Sequence, residues 1–166
     1  MKGTRHNGRS GKDGVYNPLH NDRRFDPEHS EHIDNERVRQ NIYWDCYQGY
    51  TTMEDRGKED NFSFSQIEMA YYSEHYSDYV INQNKRHEKA RHPDRCKGVE
   101  EILKNKKTCP EESIYQLGTI DEHASVETLI RVFDEFKKEF DERFGSNVHI
   151  IDWSLHMDEA TPHIHE

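Results

Sequence analysis

The chain has 166 residues, 34% of them charged and 31% hydrophobic, with a formal net charge of -10 and a mean hydropathy of -1.21. That length suits one domain with a modest core, and no run approaches the roughly 20 apolar residues of a membrane span. The N-terminus lacks the apolar stretch of a secretory signal, so a cytoplasmic address is expected, and the acidic total opposes general nucleic-acid binding.

The charge is uneven along the chain. Lys2, Arg5, Arg9 and Lys12 precede the first acid, Asp13, and with glycines at 3, 8, 11 and 14 they read as a flexible basic arm over residues 1–14. Arg5 and Arg9 are its candidate DNA contacts. Asp34 is expected to cap a helix running to about Gln48, with Val38, Ile42 and Cys46 on one line and Gly49 as the stop. Residues 51–64 read as a polar loop. A long helix is predicted from about Ser65 to Arg91, burying Ile67, Tyr71, Tyr79 and Val80 and ending before Pro93. Tyr72 and Tyr76 stand four apart on it, the spacing of paired tyrosine nucleophiles in some nicking enzymes, and also of ordinary packing residues. His87, His92, Cys96 and Cys109 offer zinc-ligand types, but at no common finger spacing. The cysteines are three, Cys46 included, and far apart, which argues for reduced thiols.

Residues Ser113–Gly118 alternate as a strand. Ser125 caps the clearest helix, whose Val126, Leu129, Ile130, Phe133, Phe136, Phe140 and Phe144 form one apolar stripe up to Gly145. A strand over Val148–His156 directs Ile151, Trp153 and Leu155 to that helix and Asp152, Ser154 and His156 to the other face. Pro162 forces extended backbone before it, so His163-Ile164-His165 enters a further strand with both imidazoles on one face. If the two strands pair antiparallel, His156, His163 and His165 converge as a metal site, with Glu159 above it on the turn. The expected architecture is α+β: an antiparallel sheet with helices packed on one face and a polar, histidine-bearing face left open.

His156-Met157-Asp158-Glu159-Ala160-Thr161-Pro162-His163-Ile164-His165 resembles the H-x-D-E-x-T-P-H-x-H signature of MobV-type relaxases, the Mob/Pre plasmid mobilisation and recombination family. His20-Asn21-Asp22-Arg23 resembles that family's H-N-x-R motif, and Ile33-Asp34 through Arg37 and Asn41 resembles the segment after it. The resemblance implies an HUH-type endonuclease occupying residues 15–166, built on a five-stranded antiparallel sheet and lacking the C-terminal part of the catalytic domain. It further implies metal-dependent, strand-specific nicking and joining of DNA at a plasmid origin of transfer, as single strand or hairpin, through a covalent histidine intermediate. His20 would be the nucleophile, Arg23 would stabilise the scissile phosphate, and Glu159 would act as acid/base. His156, His163 and His165 would hold Mn²⁺ or Mg²⁺, although three imidazoles also suit softer divalent ions. Arg37 and Asn41 would join Arg23, Arg5 and Arg9 in contacting DNA. Competing readings are a non-catalytic DNA-binding relaxase fragment, a tyrosine-dependent replication initiator and a metal hydrolase of small substrates.

Overall fold

Side-chain alternation along the strand Asp152–His156 assigns the two faces of the sheet. Trp153 and Leu155 point one way and Asp152, Ser154 and His156 the other, all of them buried. The computed structural model describes residues 3–8, 18–24 and 33–166. Among these residues six strands form one antiparallel sheet: β1 (Gly3–Gly8), β2 (Ile42–Asp45), β3 (Gly49–Thr52), β4 (Glu112–Leu117), β5 (Asp152–His156) and β6 (His163–His165). Their order is β1-β4-β6-β5-β2-β3. Leu155 is paired with Ile42 on one side and Ile164 on the other, and Ile164 in turn with Tyr115, so apolar residues stand in a row across four strands.

The helix α5 (Val126–Phe144) covers that row. Ser125 accepts the Thr128 N–H at its start, and its Leu129 and Phe133 form the core with Trp153, Leu155 and Ile164. Phe133 meets Trp153 edge to face at 5.2 Å. This is the core anticipated from the phenylalanine stripe. No helix among the described residues is long and apolar enough to cross a membrane.

Three expectations change. The segment after Asp34 is not a long helix but a short 3-10 turn (Val38–Gln40) followed by β2. Ile42-Tyr43-Trp44 are β-branched and aromatic, and the fully buried Tyr43 and Asp45 alternate with half-buried neighbours, so a period of two prevails over helical spacing. Gly49 does not end a helix; at φ +73° it closes the β2–β3 hairpin. Residues Gly3–Gly8, expected within a flexible arm, pair with β4 from Gly3↔Leu117 to Gly8↔Glu112 and cover its otherwise open edge.

The histidine face is also less open than expected. The short helix α2 (Met53–Arg56) follows β3 inside the predicted loop. The long helix α3 (Phe64–Lys89), anticipated almost to the residue, buries Phe64, Ile67, Glu68, Tyr72 and Val80, whereas Tyr79 points outward. Tyr43 packs edge to face against Phe64 at 6.2 Å, and the Arg56 guanidinium lies 4.7 and 4.4 Å from the two rings. Helices therefore lie on both sides of the sheet.

Truncating Phe133 to alanine is expected to cost about 3–5 kcal/mol in urea unfolding, while Phe144→Ala, at the half-exposed end of the same stripe, costs less than about 1 kcal/mol. Equal losses would contradict this placement of the core.

Candidate active site

The pairing of His156 with His163 and of Ser154 with His165 brings three imidazoles onto one face of the β5–β6 hairpin. Their ring centroids are 5.4 Å (His156–His163), 4.8 Å (His156–His165) and 4.9 Å (His163–His165) apart. An oxygen orients each ring. His163 Nδ1 lies 2.8 Å from the Thr161 carbonyl, His165 Nδ1 2.8 Å from Glu112 Oε1, and His156 Nε2 3.0 Å from the Asn21 carbonyl. A carbonyl or carboxylate oxygen only accepts, so these nitrogens carry the ring protons.

The other nitrogens turn inward. His163 Nε2 and His165 Nε2 are 3.0 Å apart, and His156 Nδ1 is buried with no hydrogen-bond partner among the described residues. Facing lone pairs repel unless a proton or a cation lies between them. Imidazoles with far nitrogens held by oxygens and near nitrogens converging are the usual donor set of a divalent metal, so these residues fit one. Burial, then the neighbouring His165 and Arg23, keeps His156 neutral well below the usual histidine range, and burial likewise lowers His163.

Glu159 reaches over the cluster from the turn, its Oε1 3.8 Å from His156 Nδ1 and its Oε2 3.8 Å from His163 Nε2. Two overlapping groups have ligand atoms within 4.8 Å of one another, His20/His156/His165 and His156/Glu159/His163. The expected set of His156, His163 and His165 shares two members with each. Glu159 and His20 are thus close enough to serve as ligands themselves.

His20 arrives from the other end of the chain, on helix α1 (Pro18–Asn21). Its ring centroid is 5.6 Å from that of His156 and 5.4 Å from that of His165, and its Nε2 is 3.6 Å from Glu159 Oε1. Burial, the Arg23 charge and His165 bring its pKa down to about 4, so it is neutral at pH 7.

Arg23 does not present itself to a phosphate as expected. It is buried, in a left-handed backbone conformation at φ 51°. Its Nε and Nη2 donate to the two oxygens of Asp158 at 2.9 Å each, Nη2 also to Glu159 Oε1 at 2.6 Å, and Nη1 to the carbonyl and Nε2 of His20 at 3.0 and 3.3 Å. All five N–H groups have acceptors, so Arg23 positions His20 and Glu159. Burial alone would lift both carboxyls, yet the bonds and charge of Arg23 hold Asp158 and Glu159 below their ordinary values.

Arg37 and Asn41 brace the same turn. The Arg37 guanidinium donates to Asp34 at 3.0 Å and to the Glu159 carbonyl at 2.7 Å, while the buried Asn41 accepts the Met157 N–H at 2.7 Å. Burial leaves Asn41 unsuited to the surface contact expected of it. Arg5 is exposed, but it lies on the α5 face, donating to Tyr115 Oη at 3.0 Å and Ser113 Oγ at 2.9 Å, away from the histidines. Arg9 lies outside the described residues. Tyr72 donates to the Thr108 carbonyl at 2.6 Å and meets Tyr76 at a tilt, 5.1 Å between centroids; neither joins the histidine cluster. Among the described residues, no metal-ligand group includes His87, His92, Cys96 or Cys109.

Sequence reasoning missed Glu112, which orients His165 and accepts from Asn21 Nδ2 at 2.9 Å, and Asp158, the buried anchor of Arg23. Asp158 was visible inside the motif. Glu112 had no signal short of the β4–β6 register.

Residues 58–166 match the family model Mob_Pre, plasmid recombination enzyme. The chain belongs to this family. Within the Mob_Pre match lie His156, Glu159, His163 and His165, whereas His20 and Arg23 precede it. Two Mn-bound crystal structures of the MobM relaxase domain (MOBV; Mob_Pre) are similar in fold. One is bound to 22-nucleotide plasmid pMV158 oriT DNA with a 3′-thiophosphate at pH 6.8, with a TM-score of 0.55. The other is bound to the 22-nucleotide DNA at pH 5.5, with a TM-score of 0.53. Each is 23% identical and covers 99% of this chain and 68% of its own. No curated protein matches the chain.

Because the folded chain resists charging His156, the unfolded chain takes up protons first as pH falls below about 6.5, and stability held above that pH is lost on acidification. In chelator, the drop in melting temperature from pH 7 to pH 5 is therefore expected to be smaller in His156→Gln than in the parent. Parallel pH profiles would refute the assignment of a neutral, buried His156.

Proposed function

We propose that this chain is a relaxase, nicking and rejoining one DNA strand at a plasmid origin of transfer in mobilisation or recombination. The observation that carries the reading is the meeting of His20 with the three-histidine cluster, at 5.4–5.6 Å between ring centroids, on a fold shared with Mn-bound, DNA-bound relaxase domains. His156 through Nδ1 and His163 and His165 through Nε2 would hold Mn²⁺ or Mg²⁺. Such an ion supplies charge neutralisation and orientation to a phosphodiester.

The protein's own groups supply the rest. His20, with its pKa brought down to about 4, keeps an unprotonated nitrogen at pH 7, and Nε2 is the acceptor facing Arg23 Nη1. Attack by this lone pair forms an N–P bond and breaks the P–O3′ bond, the 3′-oxygen leaving with the bonding pair and taking a proton. The ring's single proton, on Nδ1, departs to water, which in turn supplies the proton the 3′-oxygen takes up, and the 5′ end remains on His20 as a phosphoramidate, which stores the bond for rejoining by the 3′-hydroxyl. Glu159, whose Oε1 lies 3.6 Å from His20 Nε2, is placed to pass a proton from water to the 3′-oxygen, and Arg23 fixes both His20 and Glu159. A positioned imidazole and carboxylate fixed by one guanidinium lower the reorganisation the step requires.

The grouping of His20 with His156 and His165 as potential ligands favours one second reading, in which His20 binds metal and the chain holds DNA without cutting it. A supercoiled plasmid carrying the cognate origin, incubated with Mn²⁺, separates the two. The relaxase reading expects nicking and a protein–DNA adduct whose mass maps to His20, both lost in His20→Ala and retained in Tyr72→Phe. An adduct that survives His20→Ala and disappears in Tyr72→Phe would overturn the nucleophile; origin binding with no adduct in the parent chain would favour the second reading.

A further inference from the structure

Away from the histidines, α3 and the segment around α4 (Val99–Leu103) enclose, with the chain leading into β5, a cavity of about 780 Å³. That volume lies in the range that small ligands occupy. Tyr71, Tyr72 and Tyr76 line it from one side, with Tyr71 and Tyr72 edge to face at 6.5 Å and Tyr72 and Tyr76 tilted at 5.1 Å. Five acids share the lining with Arg95, Lys97 and Lys107, and two of the five are buried, Glu68 from α3 and Asp152 from β5. Glu68 is only 3% exposed, and its Oε1 has no hydrogen-bond partner among the described residues.

A buried carboxylate oxygen without a donor is costly, the more so when charged. Nothing in the proposed nicking chemistry uses it. Burial, then Asp152 and Cys109, pushes Glu68 well above the usual carboxylate range, and burial with Asp45 pushes Asp152 up to about 8 although Arg56 opposes this. Burial leads at both acids, and Arg56 offsets it only in part at Asp152. Tyrosine faces attract cations as well, since the ring quadrupole is negative above the plane. A site offering π-faces and a buried acid pair selects a ligand with an apolar body and N–H donors on a positive head.

We infer that this cavity is a binding site for an organic ammonium ion, of the class of alkyl diamines, whose head pairs with Glu68 and Asp152 and whose chain lies along Tyr71, Tyr72 and Tyr76. The ammonium group brings the donors that Glu68 Oε1 lacks, and the methylenes fill the aromatic wall. The site is separate from the histidine cluster and shares no residue with it.

Calorimetric titration of the full chain with putrescine, and with its neutral analogue 1,4-butanediol, reads this directly. Putrescine is expected to bind one per chain and to raise the melting temperature, with butanediol inert. Glu68→Gln, nearly isosteric, is expected to weaken binding at least tenfold, and so is Tyr76→Leu, at a position 41% exposed that tolerates replacement. Glu159→Gln, in the histidine site, leaves it unchanged. The net charge remains strongly negative in every variant, so unspecific attraction to an acidic protein would survive Glu68→Gln and Tyr76→Leu alike. Unchanged affinity in those two variants, equal binding of butanediol, or binding of Mn²⁺ at Glu68 in place of putrescine would each overturn the inference.

Discussion

The bidentate pair between Arg23 and Asp158 joins two parts of the chain 135 residues apart. Both side chains are buried, so each would leave an uncompensated charge without the other, and breaking such a pair typically costs about 3–5 kcal/mol. That interdependence makes the pair a latch. It fixes α1, and with it His20, against the turn that carries Glu159, and its spare N–H groups reach His20 and Glu159 themselves. Asp34 and Arg37 fasten the same turn from a third segment, through the Asp158 and Glu159 carbonyls. The site is thus assembled from three stretches of sequence that no local interaction would bring together.

The sheet supplies what the latch does not. β6 has only three residues, yet it lies between β4 and β5, and Glu166 exchanges hydrogen bonds with Ser113 at 2.8 and 2.9 Å just beyond it. A one-residue slip of β6 would turn both histidines toward α5 and Ile164 out of the core. The fully buried Ile164, against Leu155 and Tyr115, therefore holds the register that presents His163 and His165. Hydrophobic packing on one face and the convergence of the histidines on the other depend on the same pairing.

Much of this could be read from local pattern. The α5 stripe and the effect of Pro162 on the His163–His165 strand each depend on neighbours in sequence and were found where expected, whereas β5 keeps the expected alternation but begins at Asp152 instead of Val148. The motif also pointed to His20 before any geometry was known. Errors came where distant partners decide. Val38, Ile42 and Cys46 have helical spacing, but pairing with β5 and β3 claims the segment after Asn41 as a strand. Arg23 and Asn41 carry groups suited to DNA, and burial beside the β5–β6 turn assigns both to bracing. Glu112 is an ordinary acid in sequence, and only its position across from β6 makes it the acceptor for His165. The first-strand pairing of residues 3–8 depends on the edge of β4, which is distant in sequence (Gly3 pairs with Leu117 and Gly8 with Glu112), and glycine-rich composition gives no sign of it.

The central claim is that hydrogen bonds donated to the Asn21 and Thr161 carbonyls and to Glu112 set three imidazoles to receive one metal ion. Anomalous diffraction from a crystal of the chain soaked in Mn²⁺ tests it most directly. The account predicts a single manganese peak ligated by His156 Nδ1, His163 Nε2 and His165 Nε2, with the far nitrogens still bonded to those oxygens. Manganese bound through the opposite ring nitrogens, or absent from the cluster, would contradict it.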